Sequence, residues 1–318
     1  MYELAILARG GVLLTVWALA AGWPPGRLAG RLRRDGWQRI CRGAWAAPGK
    51  EVDWRVRATA LQLQRPEWVC SHGTAARLHR IERLGAGVGV GVEPLEFTAR
   101  APCRSTAGPG VGPGVGGGTP VRVHGTRFLT AADRSLRRGL RTTTPARTVG
   151  DLIRAAGSRE EAVVVADSAL ARRAVEGVRR EALVRYEELT AELAAPRRGS
   201  PRARGWLRLA EPSSGSPAET VARLRMGDAG LFPESQPVLR PASGPPLRPD
   251  FLFRAEGVAV EVEGYAFHGT RRAHERDAAR FNALQSCREV RRVLRFTAGE
   301  VFRRPDRVTA VIRAALAL

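Results

Sequence analysis

Three acids and one histidine lie close together near residue 260 of the 318-residue sequence. The segment RPDFLFRAEGVAVEVEGYAFH contains Asp250, Glu261, Glu263 and His268. Every second side chain of a β-strand points to the same face, so Glu261 and Glu263 would share one face and the valines between them the other. Carboxylates this close repel each other unless solvent or a cation separates them. The pattern therefore predicts either a solvated strand face or a site where oxygen ligands hold Mg²⁺ or Mn²⁺.

Further residues nearby could complete such a site. Asp250 is expected on a neighbouring strand, from which it could supply a third ligand. His268 could act as a general base or bind phosphate, because an imidazole titrates near neutral pH; the alternative is a histidine that only closes the turn. Glu219 is a fourth candidate ligand, although the motif beginning at Ser216 also predicts a helix-capping box. His274 is the alternative to His268 on the following helix. That helix also offers arginines for phosphate contacts, namely Arg271, Arg272, Arg276 and Arg280.

The elements that would position these residues predict a mixed sheet flanked by helices over residues 213–318. The patterns there read helix, three strands, helix, strand and helix. Pro217 suits the first turn of the opening helix, and the segments LRPDFLFR and GVAVEVEGY have the length and residue types of strands. The expected fold class is α/β, or α+β overall.

The first 48 residues predict a compact DNA-binding domain. Residues 2–8 and 12–20 are expected to be helical, PPGRLAGRLRRDGW to be a third helix with Leu28 and Leu32 facing inward, and WQRICRGAWAAPG to form two short strands. Three helices and a two-stranded wing are the plan of a winged helix-turn-helix; a small helical bundle with a basic, solvated face is the alternative. Arginines would contact phosphates or guanine edges from the third helix and the wing, namely Arg27, Arg31, Arg34, Arg39 and Arg42.

Residues 49–212 predict a mixed α/β linker domain with few signs of chemistry. The Gly- and Pro-rich stretch at residues 101–120 cannot pack a core and is expected to be a mobile loop. His72, His79 and His124 are interpreted as packing or solvated residues rather than ligands. Arg147 and Asp151 stand four residues apart on an expected helix and predict a structural ion pair.

The charge of the chain favours contact with a polyanion only in general terms. The formal net charge is +21, yet Lys50 is the single lysine and every other cation is arginine. This skew is typical of compositional drift, and the charge is spread along the chain rather than gathered into one stripe.

Cysteine usage and hydropathy predict a reduced, cytoplasmic protein that does not enter a membrane. The four cysteines lie far apart and lack zinc-binding spacing. The apolar run VLLTVWALAAGW has about a dozen residues, which is too few to span a bilayer. Glu3 and Arg9 make a poor start for a signal peptide.

The N-terminal segment resembles the winged-helix domain of AbiE-type antitoxins, the transcription-repressing halves of type IV toxin-antitoxin systems. The resemblance covers about one sixth of the chain and rests on a wing that ends in Arg42, Gly43, Ala44, Trp45 and Ala46. It implies a winged helix-turn-helix, DNA as a partner, and a toxin or a second copy of the chain as further partners. Such wings also occur in larger proteins without a toxin, so the fold is implied more firmly than the antitoxin role.

Residues 216–316 resemble the very-short-patch-repair-like endonucleases of the PD-(D/E)XK superfamily. Four motifs match in order: SPAET, RPDF, AVEVEGYAFH and RVLRFTAGEVFRRPDRV. The resemblance implies a restriction-endonuclease-like sheet, a Mg²⁺ site at Asp250, Glu261, Glu263 and Glu219, and a histidine near the metal at His268.

One departure from the superfamily pattern leaves two functions open. The superfamily lysine that orients the attacking water is absent, because Glu263 occupies its position; the very-short-patch-repair-like subgroup usually has aspartate there. One hypothesis is a Mg²⁺-dependent DNA endonuclease that is targeted by its winged helix. The other is a DNA-binding, antitoxin-like regulator whose endonuclease-like domain does not cut.

Overall fold

The computed structural model describes residues 3–85, 92–100, 119–241, 244–263 and 271–317, and for residues 271–277 it describes the helix without the side chains. Contacts divide the chain into a first unit, Met1–Ile81 with Gly85–Leu152, and a second unit, Glu82–Leu84 with Ile153–Leu318. This division differs from the three domains expected from the sequence, whose boundaries at residues 48 and 212 stay a prediction. The mixed α/β class is confirmed. Within the described ranges, helices are too short or too polar to cross a membrane.

The N-terminal part of the first unit is a small antiparallel sheet packed against two helices. Its described elements are β1 (Val12–Leu14), α1 (Thr15–Ala20), α2 (Pro25–Arg34), β2 (Gln38–Cys41) and β3 (Ala44–Ala46), with strand order β1-β3-β2. The third helix and the two short strands that follow it are confirmed. Leu28 and Leu32 of α2 are buried against Leu13 and Trp45, as their i, i+4 spacing predicts.

Of the two helices expected near the N-terminus, the one over residues 2–8 is wrong, and the one over residues 12–20 is confirmed only for Thr15–Ala20. Residues 4–7 form turns, and residues 12–14 form strand β1 rather than the start of a helix. All three residues of β1 are buried, and Leu13 pairs with Trp45 in β3. An apolar run without periodicity fits a buried strand as well as a buried helix, and here the pairing with β3 decides.

The remainder of the first unit surrounds a mixed five-stranded sheet of order β6-β5-β4-β8-β7. His79 lies buried with Nε2 2.8 Å from the carbonyl oxygen of Thr143. Arg147 Nε donates to Asp151 Oδ2 at 2.8 Å, which confirms the structural ion pair. The loop expected at residues 101–120 falls largely on residues 101–118, outside the described residues. The elements are α3 (Trp54–Gln64), β4 (Val69–Cys70), α4 (His72–His79), β5 (Leu95–Arg100), β6 (Val121–Thr126), β7 (Arg134–Arg137), β8 (Leu140–Thr143) and α5 (Pro145–Ala155).

The second unit places helices around a four-stranded mixed sheet of order β11-β12-β13-β14, with a separate two-stranded ribbon of β9 and β10. Its described elements are α6 (Arg159–Leu170), β9 (Arg173–Val175), β10 (Val178–Arg180), α7 (Tyr186–Ala194), α8 (Ser200–Leu207), α9 (Pro217–Asp228), β11 (Glu234–Ser235), β12 (Phe251–Phe253), β13 (Val258–Glu263), α10 (Arg271–Gln285), β14 (Arg292–Thr297), α11 (Ala298–Arg303) and α12 (Pro305–Leu316). From α9 onward the order expected for residues 213–318 is confirmed, with α11 and α12 in place of the single closing helix.

The connections of the four-stranded sheet follow from local chemistry. Strands β12 and β13 form an antiparallel hairpin that turns at Gly257, whose φ is +68°. A Cβ at this position would lie 2.9 Å from Arg291 Cγ, so glycine is needed both for the turn and for space. Strands β13 and β14 are parallel and therefore need a crossover, which α10 supplies.

Both faces of β13 pack against apolar residues, but in separate clusters. Val258, Val260 and Val262 belong to the core beneath α9, α11 and α12. Ala259 faces a second apolar cluster that includes Leu284 of α10. Burial of each valine contributes roughly 1.5 kcal/mol or more to folding, so the register of β13, and with it the direction of its glutamates, is firmly set.

Candidate functional site

The two glutamates of β13 lie on the face opposite the valine core. Glu261 and Glu263 are half-buried, whereas Val260 and Val262 are buried. The alternation expected from the sequence is therefore confirmed. Because Ala259 on the same face packs beside α10, the glutamates lie on the side of the sheet that this helix covers.

Asp250 is held next to Glu261 by the pairing of two strands. It immediately precedes β12 rather than lying within it, and since Phe251 pairs with Val260, the next position along each strand places Asp250 opposite Glu261. The Oδ2 atom of Asp250 accepts a hydrogen bond of 2.7 Å from the backbone N–H of Val262. The strand backbone thus fixes the carboxylate of Asp250.

Glu219 reaches the same place from the first turn of α9. The Ser216 half of the predicted capping box is present, since Ser216 Oγ accepts from the backbone N–H of Glu219 at 3.2 Å. The Glu219 carboxylate instead accepts from the backbone N–H of Gly215, at 2.7 Å. Its side chain is buried. Glu219 is therefore more than a helix cap, because its second partner is a residue of the site.

That partner is Gln236, which the sequence patterns did not reveal. Its Nε2 donates to Glu219 Oε2 at 3.0 Å and to Asp250 Oδ1 at 2.9 Å. Glu219, Asp250 and Glu261 are hereafter called the acid cluster, and Gln236 joins two of its members. A glutamine in a loop is a common residue, and no local pattern in the sequence signals this role.

The surroundings of Asp250 and Glu261 favour the protonated forms of these two acids. Burial, followed by the charges of Glu219 and Glu261, raises the pKa of Asp250 to about 8. Burial also raises the pKa of Glu261, and Glu219 adds to the rise while Arg280 opposes it. Neighbouring acids thus make Asp250 and Glu261 harder to ionise, and a cation beside them would reverse this effect.

Two arginines already contact the glutamates of β13. Arg280 of α10 donates to Glu261 Oε1 at 3.0 Å and to the carbonyl oxygen of Arg248 at 2.6 Å. Arg295 of β14 forms an ion pair with Glu263 Oε1. Glu263 therefore has its own counter-ion, and the only contacts described for it join it to Arg295 and the sheet rather than to Asp250.

The donor set can be tested for its fit to Mg²⁺. Among the described residues, no three histidine, cysteine, aspartate or glutamate side chains converge as a ready-made metal group. Asp250 and Glu261 nevertheless supply two carboxylates, and Mg²⁺ binds through one or two carboxylates together with water and phosphate oxygens. The pair fits the ion in number and in type. The assignment of all four acids as ligands stays a prediction.

The other residues expected in the site either lie outside the described residues or have side chains that the structure does not describe. His268 lies outside them. Arg271, Arg272, Arg276 and His274 lie on α10, but their side chains are not described. The roles expected of these five residues stay predictions.

The arginines expected to contact DNA from the first 48 residues are all exposed. On α2, Arg31 forms an exposed pair with Asp35 at 2.6 Å, and the buried side chains Leu28 and Leu32 occupy the other face. Five arginines face solvent on α2 and the β2–β3 hairpin, namely Arg27, Arg31, Arg34, Arg39 and Arg42. An exposed basic helix beside a short basic hairpin can lie against a phosphate backbone.

A second group of titratable residues lies within the first unit. The rings of His72 and His124 stack with their centroids 3.7 Å apart. Glu96 lies 3.2 Å from His124 Nε2 and accepts from the backbone N–H of Gly73 at 2.8 Å. Burial, and then the charge of His124, lowers the pKa of His72 to about 4. These contacts fit the interpretation of both histidines as packed residues.

Comparison with known proteins assigns no family to the chain. No family model matches it, and no curated protein gives a significant match.

Proposed function

We propose that this chain is a DNA-binding protein whose second unit is a Mg²⁺-dependent endonuclease that hydrolyses DNA phosphodiester bonds; Mn²⁺ is the alternative ion. One observation supports this proposal above the others. The pairing of the two inner strands, β12 and β13, places Asp250 opposite Glu261, and Gln236 joins Asp250 to Glu219 of α9. Glu219 and Glu261 raise the pKa of the buried Asp250, and an acid perturbed in this way is typical of a functional site.

The order of elements around the acid cluster adds support. Helix α9 supplies Glu219, the β12–β13 hairpin presents Asp250 and Glu261, and α10 crosses over to the parallel strand β14. This is the arrangement that the resemblance to very-short-patch-repair-like endonucleases implies. Fold alone does not determine function, so the proposal depends on the acids themselves.

In the proposed reaction each residue has a separate task. Asp250 and Glu261 would hold the metal, which when bound would supply positive charge beside a phosphate oxygen and an attacking water. Glu219 and Glu263 support the two ligands. His268 is assigned the proton of the attacking water, and Arg271, Arg272 and Arg276 are assigned the phosphates that flank the cleaved bond.

The first unit is proposed to bind the DNA through a winged helix-turn-helix. Its α1 and α2 are followed by the β2–β3 hairpin, as in a wing, and α2 presents Arg27, Arg31 and Arg34 to solvent. In this motif the second of the paired helices enters the major groove. Arg39 and Arg42 would contact the neighbouring backbone.

A non-cleaving, antitoxin-like regulator is the second candidate, and the arginine contacts favour it. Arg280 neutralises Glu261, and Arg295 neutralises Glu263. A domain that has lost its metal could keep its acids in this way. A toxin or a second copy of the chain would then be the functional partner.

One assay separates the two candidates. Purified protein is incubated with duplex, mismatched and single-stranded DNA in the presence of Mg²⁺, Mn²⁺ or a chelator. Metal-dependent cleavage of any substrate supports the endonuclease. Binding of duplex DNA without cleavage under every condition supports the regulator, and the absence of both contradicts the whole proposal.

A further inference from the structure

Beside the acid cluster lies a residue whose role neither the resemblance nor the motifs assign. We infer that Gln236 is a positioning residue, which holds the carboxylates of Asp250 and Glu219 together so that they are ready to receive a metal ion. This inference rests on the proposed metal site. The inference adds to that site a residue that sets the positions of the ligand carboxylates before the metal ion binds.

The first observation is the bridge itself. A single nitrogen, Nε2 of Gln236, lies 3.0 Å from Glu219 Oε2 and 2.9 Å from Asp250 Oδ1. An amide NH₂ group has two hydrogens, so each carboxylate receives one. Two acids that repel each other are thereby held within reach of a common donor.

A second bond ties the backbone of Gln236 to the same acid. The backbone N–H of Gln236 donates to the carbonyl oxygen of Asp250 at 2.9 Å. Asp250 is thus bound to Gln236 through main chain and side chain, and its other carboxylate oxygen is bound to the backbone of Val262. With both oxygens already oriented, little freedom of this carboxylate remains to be lost when a metal binds.

The backbone conformation of Gln236 is the independent observation. Its φ is +49°, a left-handed conformation that a glutamine rarely adopts. Such strain persists where the surroundings require it, and it concentrates at functional sites. A glycine at this position would remove the strain but also the amide. Since the amide is what contacts the two acids, its hydrogen bonds explain why a strained glutamine stands here.

Substitution can separate the amide from the strain. Gln236→Met keeps the length and the strained backbone but loses both donors. Gln236→Gly loses the donors and relieves the strain. Gln236→Asn keeps an amide and tolerates a positive φ, but its shorter side chain can reach only one acid. Glu176→Gly is the matched control, because Glu176 has a φ of +52° in the turn between β9 and β10 of the same unit.

The measurement is Mg²⁺ binding by calorimetry on the full chain, after circular dichroism has shown that each variant is folded. Partners that orient metal ligands typically change affinity by about 10- to 100-fold when removed. We expect this loss in both Gln236→Met and Gln236→Gly, an intermediate loss in Gln236→Asn, and wild-type affinity in Glu176→Gly. The side-chain amide resonances of Gln236 should also shift in the NMR spectrum when Mg²⁺ is added.

The outcomes distinguish this inference from the proposed function. If wild-type protein binds Mg²⁺ and both Gln236→Met and Gln236→Gly bind it within twofold as tightly, the positioning role is overturned and the metal site stands. If only Gln236→Gly keeps wild-type affinity, the donors are dispensable and the role is again overturned. If wild-type protein binds no Mg²⁺, both proposals are overturned. Should Gln236→Met fail to fold, the Mg²⁺ affinities of Gln236→Asn and Gln236→Gly decide whether Gln236 has the positioning role.

Discussion

Both units of the protein bury carboxylates, and Glu96 in the first unit and Asp250 in the second lie in opposite surroundings. In the first unit burial alone would raise the pKa of Glu96, but the hydrogen bonds from His124 and Gly73 outweigh it and lower the pKa to about 2. In the second unit burial and two neighbouring acids raise the pKa of Asp250 to about 8. Glu96 is stabilised by its donors, whereas Asp250 is placed where ionisation is opposed.

Burial by itself does not mark a functional acid. Asp167 in the second unit is wholly buried, and burial raises its pKa to about 6 even though Arg223, Thr220 and the backbone of Glu211 all donate to it. What distinguishes Asp250 is the presence of other acids. A fold gains nothing from that arrangement alone, and a bound cation would explain it.

The largest effect should follow from a change in the acid cluster. Asp250→Asn keeps the shape of the side chain and removes one metal ligand, so we expect DNA cleavage to fall about a thousandfold or more, since a metal supplies several kcal/mol to the transition state. Cleavage rates at saturating Mg²⁺ measure this. Glu256→Gln is the control, because Glu256 is exposed in the β12–β13 turn. An active Asp250→Asn variant would contradict the assignment.

The next effect separates binding in the first unit from chemistry in the second. Replacing Arg27, Arg31 and Arg34 by alanine should weaken duplex binding and make the slope of log affinity against log salt shallower by about 0.9 for each phosphate that the variant no longer neutralises. Cleavage at saturating DNA should change little. A variant in which three other exposed arginines are replaced by alanine, Arg65, Arg179 and Arg208, controls for net charge. Equal slopes in both variants would rule out this docking surface.

The position and direction of a side chain could be predicted from the sequence where a periodic pattern of apolar residues coincided with a buried face. Alternation in β13 and i, i+4 leucines in α2 placed Glu261, Glu263 and the arginines correctly, because one face of each element must enter a core. The same reasoning failed at β1, where an all-apolar run has no period. The contact of Gln236 with the acids was not predicted. It depends on a rare backbone φ and on a chain turn that brings Gln236 beside Asp250, and the residue types around Gln236 indicate neither.

A smaller effect should appear in the stability of the first unit. Glu96→Gln leaves the N–H of Gly73 and the ring of His124 with a weaker acceptor, so we expect a loss of about 1–3 kcal/mol in the free energy of unfolding. Glu67→Gln, on the exposed surface of the same unit, should cost little. In metal-free protein Asp250→Asn should leave stability unchanged or raise it. Equal losses in Glu96→Gln and Asp250→Asn would remove the contrast between the two acids.

The smallest effect concerns pH, and its sign differs between the units. The pKa of Glu96 is lowered to about 2 and that of His72 to about 4, so the stability they contribute is complete above pH 6.5 and is lost on acidification. The pKa of Asp250 is raised, so its contribution is complete below pH 3.8 and is lost as the pH rises toward 8.

Hydrogen exchange on metal-free protein at several pH values can follow the two units separately. When the pH is lowered from 7 to 5, protection of the amides in α4 and β5 should fall. At β13, the protection of the wild-type protein should rise relative to that of Asp250→Asn. If protection changed in the same direction with pH at α4 and β5 and at β13, the electrostatic contrast between Glu96 and Asp250 would be contradicted.

The most direct test of the proposed metal site is a Mg²⁺ titration of wild-type protein followed by thermal unfolding. A ligand that binds only the folded state stabilises it by about 2.7 kcal/mol at 100 times its Kd. We expect Mg²⁺ to raise the melting temperature of the wild-type protein and of Glu256→Gln but not that of Asp250→Asn. An unchanged melting temperature in the wild-type protein, or an equal rise in Asp250→Asn, would contradict the claim that the acid cluster is a metal site.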